Sequence, residues 1–325
     1  MTRRKRVLVG CLWVVIGLPV ALLLAVVAFF HALNPLLLGG GDEQNASIVS
    51  SGTRREYLLH VPAGHLGGKP APLVISLHPA AVFPSVLRNT SRWNDVADRE
   101  GFIVVYPWGR RIAPLLILPS LPVWPVESEA ALAEEVAFIA ELIDELVRTH
   151  GVDPARIYVN GFSNGGALTF ALSCRLSHRI AAVGTVAAAQ VLPWSWCSDS
   201  QPVPLIAFHG TDDPLVPYPG GRAFGTTLPG AADWTAGWAQ RNRCTQGPIA
   251  TQLGDATRLD YRGCAEGADV RLYTIEGGGH TWPGGNPLPR LFVGRTSSSV
   301  DATREMWEFF RRFRRSPPTS PAPSS

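Results

Sequence analysis

Gly161-Phe162-Ser163-Asn164-Gly165 sets a serine between two glycines in a Gly-x-Ser-x-Gly pattern. A serine hydroxyl is a weak nucleophile until a neighbouring base takes its proton. A sharp strand-to-helix turn makes it useful by lifting it clear of the backbone. Glycines at the flanking positions remove the Cβ atoms that would clash in such a turn. A helix starting there offers free N–H groups and a positive dipole end to a developing oxyanion. Ser163 is thus the candidate nucleophile, and the N–H of Asn164 one candidate oxyanion donor. The bland alternative is a chance glycine-rich turn. Context argues against it: the apolar stretch Ile157–Val159 precedes the motif and a helical stretch, Ala167–Leu176, follows it.

The serine needs a base, and the base needs an acid to orient it. In hydrolases with this turn the chain order is Ser, then Asp or Glu, then His. Downstream of Ser163 stand His178, His209 and His280. His178 falls at the end of the nucleophile's helix and reads as a solvent-facing residue of a helix C-terminus. His209 comes before the acid candidates, in the wrong order. His280, after Gly277-Gly278-Gly279 and a strand, is left as the base. The acid belongs in Thr211-Asp212-Asp213-Pro214, where either aspartate could serve and the other would be a turn former.

Short apolar runs must carry these groups: Arg55–Val61, Pro72–His78, Phe102–Tyr106, Ile157–Val159, Ala181–Ala189, Leu205–Phe208 and Val270–Ile275. Unbroken apolar strands are expected in a parallel sheet covered on both faces. Helical periods alternate with them, at Glu134–Arg148 and again at Ala302–Phe313. The rhythm predicts an α/β fold with a mostly parallel, doubly wound sheet flanked by helices. Pro114–Pro125, proline among leucines with Trp124, reads as an irregular surface excursion or a flap. Trp194, Trp196, Trp282 and Trp124 are candidates for a substrate cleft, although core packing explains most tryptophans.

A net charge of +3 sets up no field that would draw in nucleic acid, and no basic cluster outside the ends suggests it. Arg3, Arg4, Lys5 and Arg6 precede an apolar run from Val7 to about Leu33. That run exceeds the ~20 residues of a spanning helix and the ~15 of a signal peptide core. Residues 1–37 therefore read as a signal-anchor, or as a signal peptide that is removed, with the remainder outside the cytoplasm. Residues 38–52 read as a linker, 53–315 as the catalytic domain, and 316–325 as a disordered Pro/Ser tail. In an exported domain Cys174, Cys197, Cys244 and Cys264 suggest two disulfides. Three connectivities are open; proximity favours Cys174–Cys197 and Cys244–Cys264. No spacing reads as a metal site, and no cofactor is implied.

Taken together, the segments PLVISLH (72–78), DREGFIVVYP (98–107), VAFIAELID (136–144), GVDPARIYVNGFSNGG (151–166), HGTDDPLVPY (209–218) and GGHTWPG (278–284) resemble a known esterase family. It is the family of polyhydroxybutyrate depolymerases and LpqC-type feruloyl and acetylxylan esterases, of the α/β-hydrolase superfamily. The resemblance covers roughly residues 54–313. It implies His280 as base and aligns the acid with Asp213, and it implies disulfides in the pattern that proximity favours. It also implies a donor in the turn after the first core strand, where relatives carry His-Gly. This chain has His78-Pro79-Ala80. Proline has no N–H, so the candidate second donor is the N–H of Ala80, or that of another residue in this loop. The expected activity is hydrolysis of carboxylic esters, of a polyester or of feruloyl and acetyl groups on polysaccharide. Small-ester or lipase-like hydrolysis is the nearest alternative. A weakened hydrolase fold serving as a surface binding protein is a third, kept open by Pro79.

Overall fold

The computed structural model describes residues 44–112, 120–188, 190–197 and 200–315. The apolar N-terminal segment, the Pro/Ser tail and the first half of the 114–125 stretch lie outside these. Strands β1 (Gln44–Ser50), β2 (Thr53–His60), β3 (Ala71–Leu77), β4 (Ile103–Pro107) and β5 (Val152–Phe162) form half of one sheet. β6 (Ala182–Val186), β7 (Leu205–Gly210), β8 (Gln246–Leu253), β9 (Ala256–Arg262) and β10 (Val270–Ile275) form the rest. The order is β1-β2-β4-β3-β5-β6-β7-β10-β9-β8. From β4 to β10 every pairing is parallel. Antiparallel strands close both edges.

The parallel strands are apolar because both faces are covered; every residue of β3 is buried. One face packs against α3 (Glu129–His150), α4 (Asn164–Arg175) and α5 (Ala231–Arg241), through Phe138, Leu142, Leu168, Phe170, Trp234 and Trp238. The other packs against α1 (Pro84–Ser91), α2 (Trp93–Glu100) and α6 (Ala302–Phe310), through Leu87, Trp93, Val96, Met306 and Phe310. The doubly wound expectation is therefore met.

Some boundaries differ from the sequence reading for local reasons. The long helix begins at Glu129 rather than Glu134, because the Ser128 hydroxyl accepts the Ala131 N–H and caps it. The stretch read as a linker is corrected from Gln44 onward: residues 44–50 pair antiparallel with β2 as an edge strand. The β8–β9 hairpin was not foreseen. Disulfides join Cys174 to Cys197 and Cys244 to Cys264. Among the described residues no helix is long and apolar enough to cross a membrane.

Candidate active site

β5 ends at Phe162 and α4 starts at Asn164, so Ser163 alone makes the turn between them. Its backbone sits at φ 54°, ψ −115°, a region that L-residues avoid. Two hydrogen bonds hold it there. The Ser163 N–H donates to the Val186 carbonyl at 2.9 Å, and the Ser163 carbonyl accepts the Gly166 N–H at 2.9 Å. A Cβ at Gly161 would collide with the Gly165 carbonyl, and one at Gly165 with the Leu77 carbonyl. The glycines thus let α4 press against β5 and β3. As the first helical residue, Asn164 has no intrahelical acceptor for its N–H.

Asp213 follows β7 in a tight turn. Its Oδ1 accepts the N–H groups of Leu215 and Val216, both at 2.8 Å. Its Oδ2 accepts the Nδ1–H of His280 at 2.8 Å. His209 Nε2 lies 3.4 Å from the same oxygen while donating to the Val216 carbonyl at 2.9 Å. Burial pushes the Asp213 carboxyl up, but the hydrogen bonds from His209, His280 and the Val216 N–H outweigh it and hold the group well below the carboxylate range. Asp212, by contrast, is exposed. The His280 N–H donates to the Val293 carbonyl at 2.6 Å, and its ring stacks on Phe162, with centroids 5.0 Å apart. That stack puts the imidazole beside the nucleophile's turn. Among the described residues Ser163 and His280 are not hydrogen-bonded; in ligand-free sites such bonds are often long and tighten with substrate.

The turn His78-Pro79-Ala80 follows β3, the strand beside β5. Ala80 is exposed and lines the same cleft as Ser163 and Asn164. Neighbouring N–H groups are spent: Ala81 donates to the Pro122 carbonyl at 2.8 Å and Val82 to Pro79 at 3.3 Å. The Ala80 N–H has no acceptor among the described residues. His78 is fully buried, and burial pulls its pKa down to about 4 against the raising effect of its bond to Pro79.

The cleft above Ser163 has a volume of about 550 Å³. Val191, Leu192, Trp196 and Phe224 supply apolar surface, and Glu127 and Glu129 supply carboxylates. Of the other candidate tryptophans, Trp194 packs on Phe170 and Trp238. Trp282 is buried against Phe162, and Trp124 stacks behind the cleft on His78. The sequence reading weighed His209 only as a base and did not foresee its approach to Asp213, for which the spacing of four was the available signal. It also missed Phe224, which lines the cleft. His178 is exposed, beyond the end of α4. No cluster among the described residues could hold a metal ion.

A doubly wound sheet with a strained serine between strand and helix, and an Asp–His pair on the following loops, defines an α/β hydrolase. The acetyl xylan esterase of Aspergillus awamori shares this fold, with a TM-score of 0.60 over 83% of this chain and 99% of that one, at 16% identity. Residues 55–193 match the family described as Esterase PHB depolymerase. Feruloyl esterase B of Piromyces equi is 32% identical over 234 residues, 70% of this chain. This chain spans only 42% of that relative's length. Feruloyl esterase D of Neurospora crassa is 25% identical over 86% of this chain and 88% of its own. Residues 55–193 thus match this family, and the chain is similar to feruloyl esterases over most of its length.

Proposed function

We propose that this protein is an extracytoplasmic serine esterase that hydrolyses carboxylic esters by two-step acyl transfer. The observation that carries the reading is the buried Asp213–His280 hydrogen bond of 2.8 Å, stacked against the residue before a strained Ser163. His280 takes the proton of Ser163 as its oxygen attacks the ester carbonyl. Asp213 holds the imidazole with its proton on Nδ1 and stabilises the imidazolium. The N–H groups of Asn164 and Ala80 receive the oxyanion. His280 then protonates the departing alcohol, and water, activated by His280, releases the acid.

The relatives' names suggest feruloyl or acetyl groups on polysaccharide, or a polyester of the polyhydroxybutyrate kind, as substrates. The apolar side of the cleft would take the acyl group. Two disulfides suit an oxidising compartment. The apolar run from Val7 to about Leu33 would hold the domain to the outer face of the membrane.

Turnover of p-nitrophenyl acetate, methyl ferulate and polyhydroxybutyrate, with Ser163→Ala as control, tests the reading. Labelling of Ser163 by a fluorophosphonate is the expected companion result. No turnover on any ester, with no labelling, would refute it. The mass of the mature protein in membrane and medium fractions tests the anchor.

A further inference from the structure

Trp124 sits at the end of the proline-leucine stretch, far in sequence from both proposed oxyanion donors, yet it touches Asn164, which carries one, and His78, two residues before the other. Its backbone and the Asn164 side chain form a reciprocal pair. The Trp124 N–H donates to Asn164 Oδ1 at 2.8 Å, and Asn164 Nδ2 donates to the Trp124 carbonyl at 3.0 Å. Its indole Nε1–H donates to the His78 carbonyl at 2.9 Å. Its ring stacks on the His78 imidazole, with centroids 4.8 Å apart and planes 28° apart. The side chain is 1% exposed, so these bonds have no competition from water.

His78 continues the chain of contacts. The Gly109 N–H donates to His78 Nε2 at 2.9 Å, so that nitrogen is an acceptor and the ring proton sits on Nδ1. From there it donates to the Pro79 carbonyl at 2.8 Å. That carbonyl belongs to the same planar peptide unit as the Ala80 N–H. In a trans unit C=O and N–H point in opposite directions, so a carbonyl turned toward His78 aims the Ala80 N–H away from it. The Ala81 N–H bond to Pro122 pins the far side of the turn to the same stretch.

We propose that Trp124 is a positioning residue that fixes the two oxyanion donors relative to each other, with His78 as the link to the Pro79–Ala80 peptide. The inference rests on the reading of Asn164 and Ala80 as donors. It gives the described end of the proline-leucine stretch a role: Pro122 and Trp124 brace the turn that holds Pro79 and Ala80.

The test begins with wild-type turnover that Ser163→Ala abolishes; absence of that turnover overturns the esterase reading itself, and this proposal with it. Trp124→Phe keeps the ring on His78 and removes the Nε1–H. Asn164→Ala keeps the backbone donor and removes both bonds to Trp124. Each is expected to lower kcat about tenfold with KM within twofold of wild type, a fraction of the 10²–10³-fold seen when a donor is lost outright. Affinity for a boronic acid, a tetrahedral mimic, should fall by the same factor, while affinity for the product acid should not. His78→Asn, which keeps a donor near the Nδ1 position, should retain more kcat than His78→Gln, which does not. Wild-type kcat in either Trp124→Phe or Asn164→Ala overturns the positioning role, as does a loss shared equally by boronate and product acid.

Discussion

Replacing Asp213 by asparagine removes one charge and leaves the shape nearly unchanged, so its effect can be worked from the hydrogen bonds. Four donors face this carboxylate: the N–H groups of Leu215 and Val216 on Oδ1, and His280 Nδ1 with His209 Nε2 on Oδ2. An asparagine has one oxygen to offer. Turned toward Leu215 and Val216 it saves two bonds and presents its NH₂ to His280. The imidazole must then accept at Nδ1 and carry its proton on Nε2, the nitrogen meant to receive the proton of Ser163. The wrong tautomer and the lost counter-charge together should lower kcat by about 10⁴, or about 5 kcal/mol of barrier. Asp212→Asn is the matched control, since that side chain is exposed, and should stay within about threefold of wild type on the scale of exposed surface changes. The assay is kcat on p-nitrophenyl acetate near neutral pH, read against the residual rate of Ser163→Ala. Asp213→Asn retaining a tenth of the activity, or Asp212→Asn losing more than Asp213→Asn, would refute the assignment.

Other outcomes follow from the same structure. His78 titrates at 6.5 ordinarily and at about 4 in the fold, so the unfolded chain binds the extra proton between those values. The stabilisation is therefore complete above pH 6.5 and declines by roughly 3 kcal/mol as pH falls toward 4. Melting temperature against pH should show this slope, and His78→Asn should remove it. The disulfides close loops of 23 and 20 residues. Changing either pair to serine should cost about 3 kcal/mol in a denaturant titration. Phe224 is 66% exposed at φ 52°, at the tip of a hairpin beside the cleft. Phe224→Gly should stabilise the fold by about 1 kcal/mol while raising KM for aromatic and long acyl esters, as a substrate series would report.

The parallel core was legible because burial on both faces leaves an unbroken apolar run, and β3, β5 and β7 each carry one. The edges were not, because an edge strand has no such requirement. β1 reads QNASIVS and β8 reads QGPIATQL, polar and partly exposed, and each gains its strand character from a partner. For β8 a signal did exist: Gly254, at φ 62°, marks the hairpin turn into β9. α1 and α2 are short helices of low mean hydropathy; α1 buries polar and apolar residues alike and α2 only Trp93, Val96 and Ala97, so no apolar period stands out.

The site divides the same way. Ser163 could be read because its constraint is local: a positive φ and two close backbone approaches demand glycine within a few positions. Asp212 and Asp213 share one turn, so residue type could not separate them. What separates them is the direction set by the Leu215 and Val216 N–H groups, which capture Asp213 and leave Asp212 in solvent. Pro79 looked like a fault because proline cannot donate. The N–H it lacks, however, belongs to the peptide joining residues 78 and 79, whereas the proposed donor belongs to the next peptide, whose carbonyl His78 holds. A proline there also fixes φ near −65°, which removes one of the torsions that could swing the Ala80 N–H away. In this chain the turn is stiffened by its own proline ring and braced by His78.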